Sequence, residues 1–120
     1  FKLEGEATPG SFIYVFGFYS TVRGDKYFLI APNSFDKEIN SDGVFQIPSK
    51  QNESRYLLEA KFPDEIKKNE VTEYLIVLAL KDRLHMFTEQ TSEDFHRRLH
   101  DVGRQNWQKT ELGYSVLKRE

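Results

Sequence analysis

Residues 12 to 19 read FIYVFGFY, eight residues of which five are aromatic and none is charged. In a strand successive side chains point to opposite faces, so Phe12, Tyr14, Phe16 and Phe18 share one face and Ile13, Val15, Gly17 and Tyr19 the other. Neither face carries a charge. A strand of this kind belongs in the middle of a sheet or sandwich, covered on both sides. It cannot be a membrane helix, because that takes ~20 apolar residues in a row, and the other long apolar run, YLIVLAL (74 to 80), is no longer.

The flanks of this stretch are punctuated as a β protein requires. Upstream, Thr8-Pro9-Gly10 is a turn, and before it Phe1, Leu3, Gly5 and Ala7 alternate with Lys2, Glu4 and Glu6 as in a half-buried strand. Downstream, Thr21 to Asp25 has the polarity and length of a hairpin loop and returns the chain into Lys26 to Ala31. That strand stops at Pro32-Asn33. Proline has no N–H to give a ladder, and asparagine turns the chain by bonding nearby backbone.

Farther on, Ser34 to Ser41 is a polar crossing in which Phe35 and Ile39 are expected to tuck under the loop. Asp42-Gly43 turns into a short strand, Val44 to Ile47, closed by Pro48, and the polar loop 49 to 54 leads to a strand expected over Arg55 to Phe62. Pro63 to Glu70 is ambiguous, since proline suits the first turn of a helix. Val71 to Lys81 reads as a strand, with a helix over Glu65 to Leu80 as the alternative. Thr91 or Ser92 then caps a helix with Glu93 and Asp94 in its first turn, Phe95, Leu99 and Val102 on one face, and Gly103 at its end. Thr110 to Lys118 alternates once more. The pattern predicts one domain, an all-β sandwich of about seven mainly antiparallel strands with one short C-terminal helix from Ser92 to Val102.

Composition limits the chemistry. The 120 residues suit one core, the absence of cysteine closes disulfide and thiolate-metal readings, and a net charge of −2 lacks the basic excess that nucleic acid demands. No nucleic-acid partner, no cofactor and no membrane span are expected. His96 and His100 stand four apart, but Arg97 and Arg98 lie between them and the spacing puts both on the polar side of the helix; His85 sits in the strand-like DRLHMF. Arg23-Gly24-Asp25 spells an integrin-recognition tripeptide and Asn52-Glu53-Ser54 a glycosylation sequon, but both read first as turn and loop chemistry. No nucleophile elbow, phosphate loop or calcium loop occurs, so the domain alone is read as non-catalytic.

The order of landmarks resembles a known family. FIYVF, a glycine-containing loop, YFLIAPN, a polar crossing, FQIP, a strand ending FPDE, YLIVLAL, a helix and the closing NWQKTELGYSVL are similar to the bacterial domain of unknown function family 4384, over about residues 12 to 116. Pro32, Asn33 and Pro48 fall on turn-forming positions of its pattern, while Ala31 stands where a bulkier apolar residue is usual. The resemblance implies an extracytoplasmic module of a bacterium, periplasmic, outer-membrane-associated or secreted, with no activity or catalytic residue of its own. Phe1 is already in pattern and lacks a methionine, so any signal peptide or upstream domain is expected to have been removed or left out of this stretch, and the complete reading frame is the observation that tells whether one exists.

Two binding modes are open to such a module. A protein partner from the envelope, or a neighbouring domain of the full-length chain, can add a strand to an edge, for which Phe1 to Ala7 and Thr110 to Lys118 are the candidates. A glycan or peptidoglycan needs exposed rings instead, and Trp107, Tyr19 and Tyr27 are the candidates for that. A hydrolase site assembled from distant residues is the least favoured reading.

Overall fold

The computed structural model describes residues 2 to 21, 24 to 56, 58, 70 to 85 and 89 to 117; the side chains of 19 to 21, 24, 70 to 74 and 110 to 117 are outside the description. Among the described residues there are seven strands: β1 (Leu3–Glu6), β2 (Phe12–Thr21), β3 (Gly24–Ala31), β4 (Val44–Ile47), β5 (Glu70–Leu80), β6 (Glu89–Thr91) and β7 (Trp107–Leu117). One helix, α1 (Ser92–Val102), and a single 3-10 turn, Arg104–Asn106, stand between β6 and β7. All strand pairings are antiparallel, in a five-stranded sheet of order β6-β3-β2-β5-β7 and a two-stranded sheet of β1 and β4. The fold is an all-β sandwich carrying one helix.

The uncharged stretch 12 to 19 lies where its two apolar faces require, in the central strand of the larger sheet. On one face Ile13 and Val15 join Leu75 and Val77 of β5 under Leu3 and Ile47 of the two-stranded sheet, with Ile39 and Leu58 closing the layer. On the other face Tyr14 and Phe16 join Tyr27, Ile76, Leu78 and Leu80 under Phe95 and Leu99 of α1. One extra residue in β3, Ile30, interrupts the register between Val15↔Ala31 and Phe16↔Leu29. This bulge lets Ile30 and Ala31 both pack toward the two-stranded sheet. Ala31 is fully buried there.

The helix begins and ends on its own chemistry. The Thr91 hydroxyl accepts from the Asp94 amide at 3.2 Å, Glu93 and Asp94 sit at the positive end of the helix, and Gly103, at φ 92°, donates its N–H back to Leu99 and His100. Phe95 carries the packing. Its ring stacks on Tyr27 at 3.9 Å between centroids and meets Phe16 edge-on at 5.0 Å. The helix thus leaves β6 at one edge of the sheet and hands the chain to β7 at the other.

The helical alternative for the fifth strand is overturned from Glu70 onward, because β5 pairs along its whole length with β7 and over Phe12 to Phe18 with β2. Leucine and alanine yield to a strand there because both faces of β5 are needed to fill two cores. The strand expected over Arg55 to Phe62 does not include Arg55, which lies in a turn, nor Tyr56 and Leu58, which are assigned to no strand. Its remainder, and Pro63 to Asn69, lie outside the described residues. Arg83 to His85 form no strand either. Phe35 is 47% exposed rather than tucked under its loop, because its ring stacks against Tyr56 from the outside at 4.9 Å. Ile39 is buried as expected.

Candidate functional site

The turn formers Pro32, Asn33 and Pro48 surround one carboxylate. The peptide bonds before Pro32 and Pro48 are cis. Asn33 Oδ1 accepts from the backbone N–H groups of Phe35 and Asp36, each at 2.9 Å, and its Nδ2 donates to the Ile30 carbonyl and to Tyr56 Oη. This brings Asp36, which is buried, beneath the loop that follows Pro48. There its two oxygens accept from the Ser49 N–H at 3.0 Å, Ser49 Oγ at 2.6 Å, Asn52 Nδ2 at 2.7 Å and Tyr56 Oη at 2.5 Å. Asn52, the sequon asparagine, is itself buried and also donates to the Phe35 carbonyl at 3.0 Å.

The electrostatics identify this cluster as a clamp between two loops. Burial alone raises the Asp36 carboxyl, but the hydrogen bonds from Ser49, Tyr56 and Asn52 outweigh it and bring the group down to about 2. Burial, and then the donated bond to Asp36, push the Tyr56 phenol up to about 12. A carboxylate of such low basicity, with four donors on its two oxygens, is poorly placed to take a proton from Ser49. Its contribution is to stability.

The second feature lies on the helix-covered face. Trp107 opens β7 opposite Leu80, and Lys109 stands two residues on, opposite Leu78. With His96, Leu99, His100, Gly103 and Arg104 they line a groove of about 460 Å³. Leu99 is buried and Trp107 half-buried, whereas His96, His100, Arg104 and Lys109 are exposed. Arg104 is pinned by its own end of the groove: its Nη1 donates to the Trp107 carbonyl at 2.8 Å and its guanidinium lies 4.3 Å over the indole centroid. Trp107 Nε1 is buried without a hydrogen-bond partner.

The sequence-derived candidates separate accordingly. Trp107 lies in the groove, with Arg104 over its ring. Tyr27 is 5% exposed and sandwiched into the core by Phe95, so it offers no open face to a sugar; the alternation of β3 turns it toward the helix rather than outward. The side chain of Tyr19 is outside the described residues. His96 and His100 are both exposed, as their helical angle requires, and among the described residues no group of three or more metal-ligating side chains occurs. Gly24 and Asp25 belong to β3, and Arg23 lies outside the described residues. Among the described residues no helix is long and apolar enough to cross a membrane.

Of the two edge candidates, Phe1 to Ala7 contributes the four-residue β1, paired with β4. Thr110 to Lys118 belongs to the eleven-residue β7, which begins earlier than its alternation suggested and is the last strand of the larger sheet. Among the described residues nothing pairs with its outer edge. Neither a family model, nor a curated protein, nor a solved structure matches the chain.

Proposed function

We propose that this domain is a non-catalytic binding module of a bacterial extracytoplasmic protein and that it engages a protein partner by strand addition to β7. The observation that carries this reading is the inequality of the two edges of the main sheet. β6 ends one side with three residues, while β7 ends the other with eleven. A short edge strand offers little for a partner to pair with; a long one presents a row of main-chain donors and acceptors that, among the described residues, no other strand takes up. The compartment rests on the family resemblance. The non-catalytic reading is supported by the saturation of Asp36, the carboxylate that stands closest to a hydroxyl nucleophile in the described hydrogen bonds.

Adjacent prolines test the edge. Along a strand, successive N–H groups point to opposite sides, so of Ser115→Pro and Val116→Pro one removes a bond to β5 and the other removes only an outward donor. The variant that keeps its far-UV circular dichroism and its unfolding midpoint is the informative one. Wild-type domain is expected to retain a protein from bacterial envelope extract and to gain hydrogen-exchange protection along β7 with it bound, and the folded proline variant is expected to do neither. Undiminished retention by that variant would refute strand addition, and retention of purified glycan lost only with Trp107→Ala would favour the sugar-binding alternative.

A further inference from the structure

We infer that the outward face of the two-stranded sheet is a docking groove for a lysine-bearing segment of a partner protein. The inference goes beyond the β7 reading and does not depend on it. Leu3 and Ile47 of the β1–β4 pair turn inward to the aliphatic core, so alternation turns Glu4, Glu6, Val44 and Gln46 outward. The crossing from Glu38 to Asp42 and the start of the loop after Pro48 complete, with this face, a groove of about 860 Å³. Glu6 stands directly opposite Val44, and Glu4 opposite Gln46. Val44 is 60% exposed, one of two large apolar side chains left in water among the described residues.

The juxtaposition of an apolar residue and an acid decides what the groove takes. A lysine side chain is an apolar stem with a charged tip, and it lies best where the surface is apolar under the stem and acidic at the end. Val44 and Glu6, side by side across the pair, make such a surface, and Glu4 follows on the same face roughly 7 Å along the strand. Asp42 is held at the Val44 end, its Oδ1 accepting from the Val44 N–H at 3.3 Å. Glu38 is matched by Arg83, and Lys50 is the one cation among the lining residues. Glu4, Glu6 and Asp42 form no ion pair among the described residues, so the lining keeps an acidic excess. An acidic segment would meet like charge there, and a purely apolar one would cover Glu4 and Glu6 without a partner. A segment with lysines two residues apart satisfies both the acids and Val44.

Fluorescently labelled ten-residue Gly-Ser peptides serve as the probe, because they have little tendency to add to an edge as strands. Their centres are Lys-Ser-Lys, the same with both lysines acetylated, or Glu-Ser-Glu, and binding is read by anisotropy. The Lys peptide is expected to bind about fivefold more tightly than its acetylated form, as two exposed ion pairs support, and the Glu peptide most weakly. Salt should erase the difference. Glu4→Gln with Glu6→Gln should bring the Lys peptide down to the acetylated level, and Val44→Ser should weaken both by a similar factor, each with unchanged circular dichroism. Glu93→Gln with Asp101→Asn makes the same change of net charge on α1, outside the groove lining, and should leave binding as it was. An equal loss from that pair would reduce the effect to net charge and overturn the inference. Equal binding of the Lys and acetylated peptides, or binding of neither, would overturn it as well.

Discussion

The two faces of the central sheet are covered by different physics. On one face a two-stranded sheet and two loops lie over an aliphatic layer, and the polar groups the loops bury find one another: Asp36 with Ser49, Asn52 and Tyr56, and Ser41 with the Ala7 carbonyl and the Gly43 N–H. On the other a single helix lies over an aromatic layer, and some polar atoms are left over. Gln90 Oε1 and Nε2 and Trp107 Nε1 are buried without partners. Nearly all buried polar groups in folded proteins are bonded, so a face that meets this rule among its described residues is built for stability. A face that breaks it beside the Trp107 groove is the one to which the proposed binding is assigned.

Because the helix is held by few side chains, the largest effect should come from Phe95→Ala. Phe95 and Leu99 are the two buried residues of α1, and Phe95 alone stacks on Tyr27 and meets Phe16. Its removal leaves a cavity between aromatic rings, with an expected loss of about 4 kcal/mol in urea unfolding. The amides of α1 should exchange faster while those of β1 and β4 stay protected. Equal loss of protection in both layers would show that the two faces are not separable units.

Asp36→Asn is expected to cost somewhat less, about 3 kcal/mol, because one amide group cannot accept from four donors and turns its own N–H toward some of them. Denaturation at neutral pH measures it. The effect of acid follows from the same group with the sign fixed by linkage. The folded carboxyl titrates near 2 against 3.8 as its ordinary value, so its stabilisation is complete above the ordinary value and fades as the pH falls toward and through 2. The wild type should therefore lose roughly 2 kcal/mol more than Asp36→Asn between about pH 5 and pH 1.5. Parallel acid profiles for the two proteins would mean that the clamp contributes nothing through its charge.

Much of the scaffold was legible in the chain, for reasons that differ by element. The helix from Ser92 to Val102 was readable to its ends because cap, apolar stripe and closing glycine are all local. β4 was readable because Asp42-Gly43 and Pro48 bracket it, and β2 because both its faces are apolar. β6 was not: Glu89, Gln90 and Thr91 show no period, and they form a strand only because β3 lies beside them. β7 starts at Trp107 rather than Thr110 because Gln108 and Lys109 hide the alternation at a strand end. The Asp36 clamp was invisible for a different reason. Its members are 13 to 20 residues apart in loops of ordinary polarity, and only the bonding of Asn33 to its own turn had a local signature. The groove was half visible, through Trp107, while its basic rim was dispersed over the helix, the 3-10 turn and β7.

The smallest expected effect tests the leftover polarity itself. Gln90 is 5% exposed and sits opposite Tyr27 in the β3–β6 pairing, with both amide atoms lacking hydrogen bonds. Such a side chain has given up its bonds to water and gained none in return, which disfavours the folded state by about 1 to 3 kcal/mol. Methionine has nearly the same length and flexibility and no strong polar atom, so Gln90→Met removes the penalty and keeps the volume. Partial relaxation around the new thioether offsets part of the gain, and the net expectation is a stabilisation of about 1 kcal/mol. The urea midpoint should rise with no change in slope. A lowered midpoint would mean that the amide serves the β6 edge through a bond formed in solution, and the contrast between the two faces would then lose Gln90 as a support.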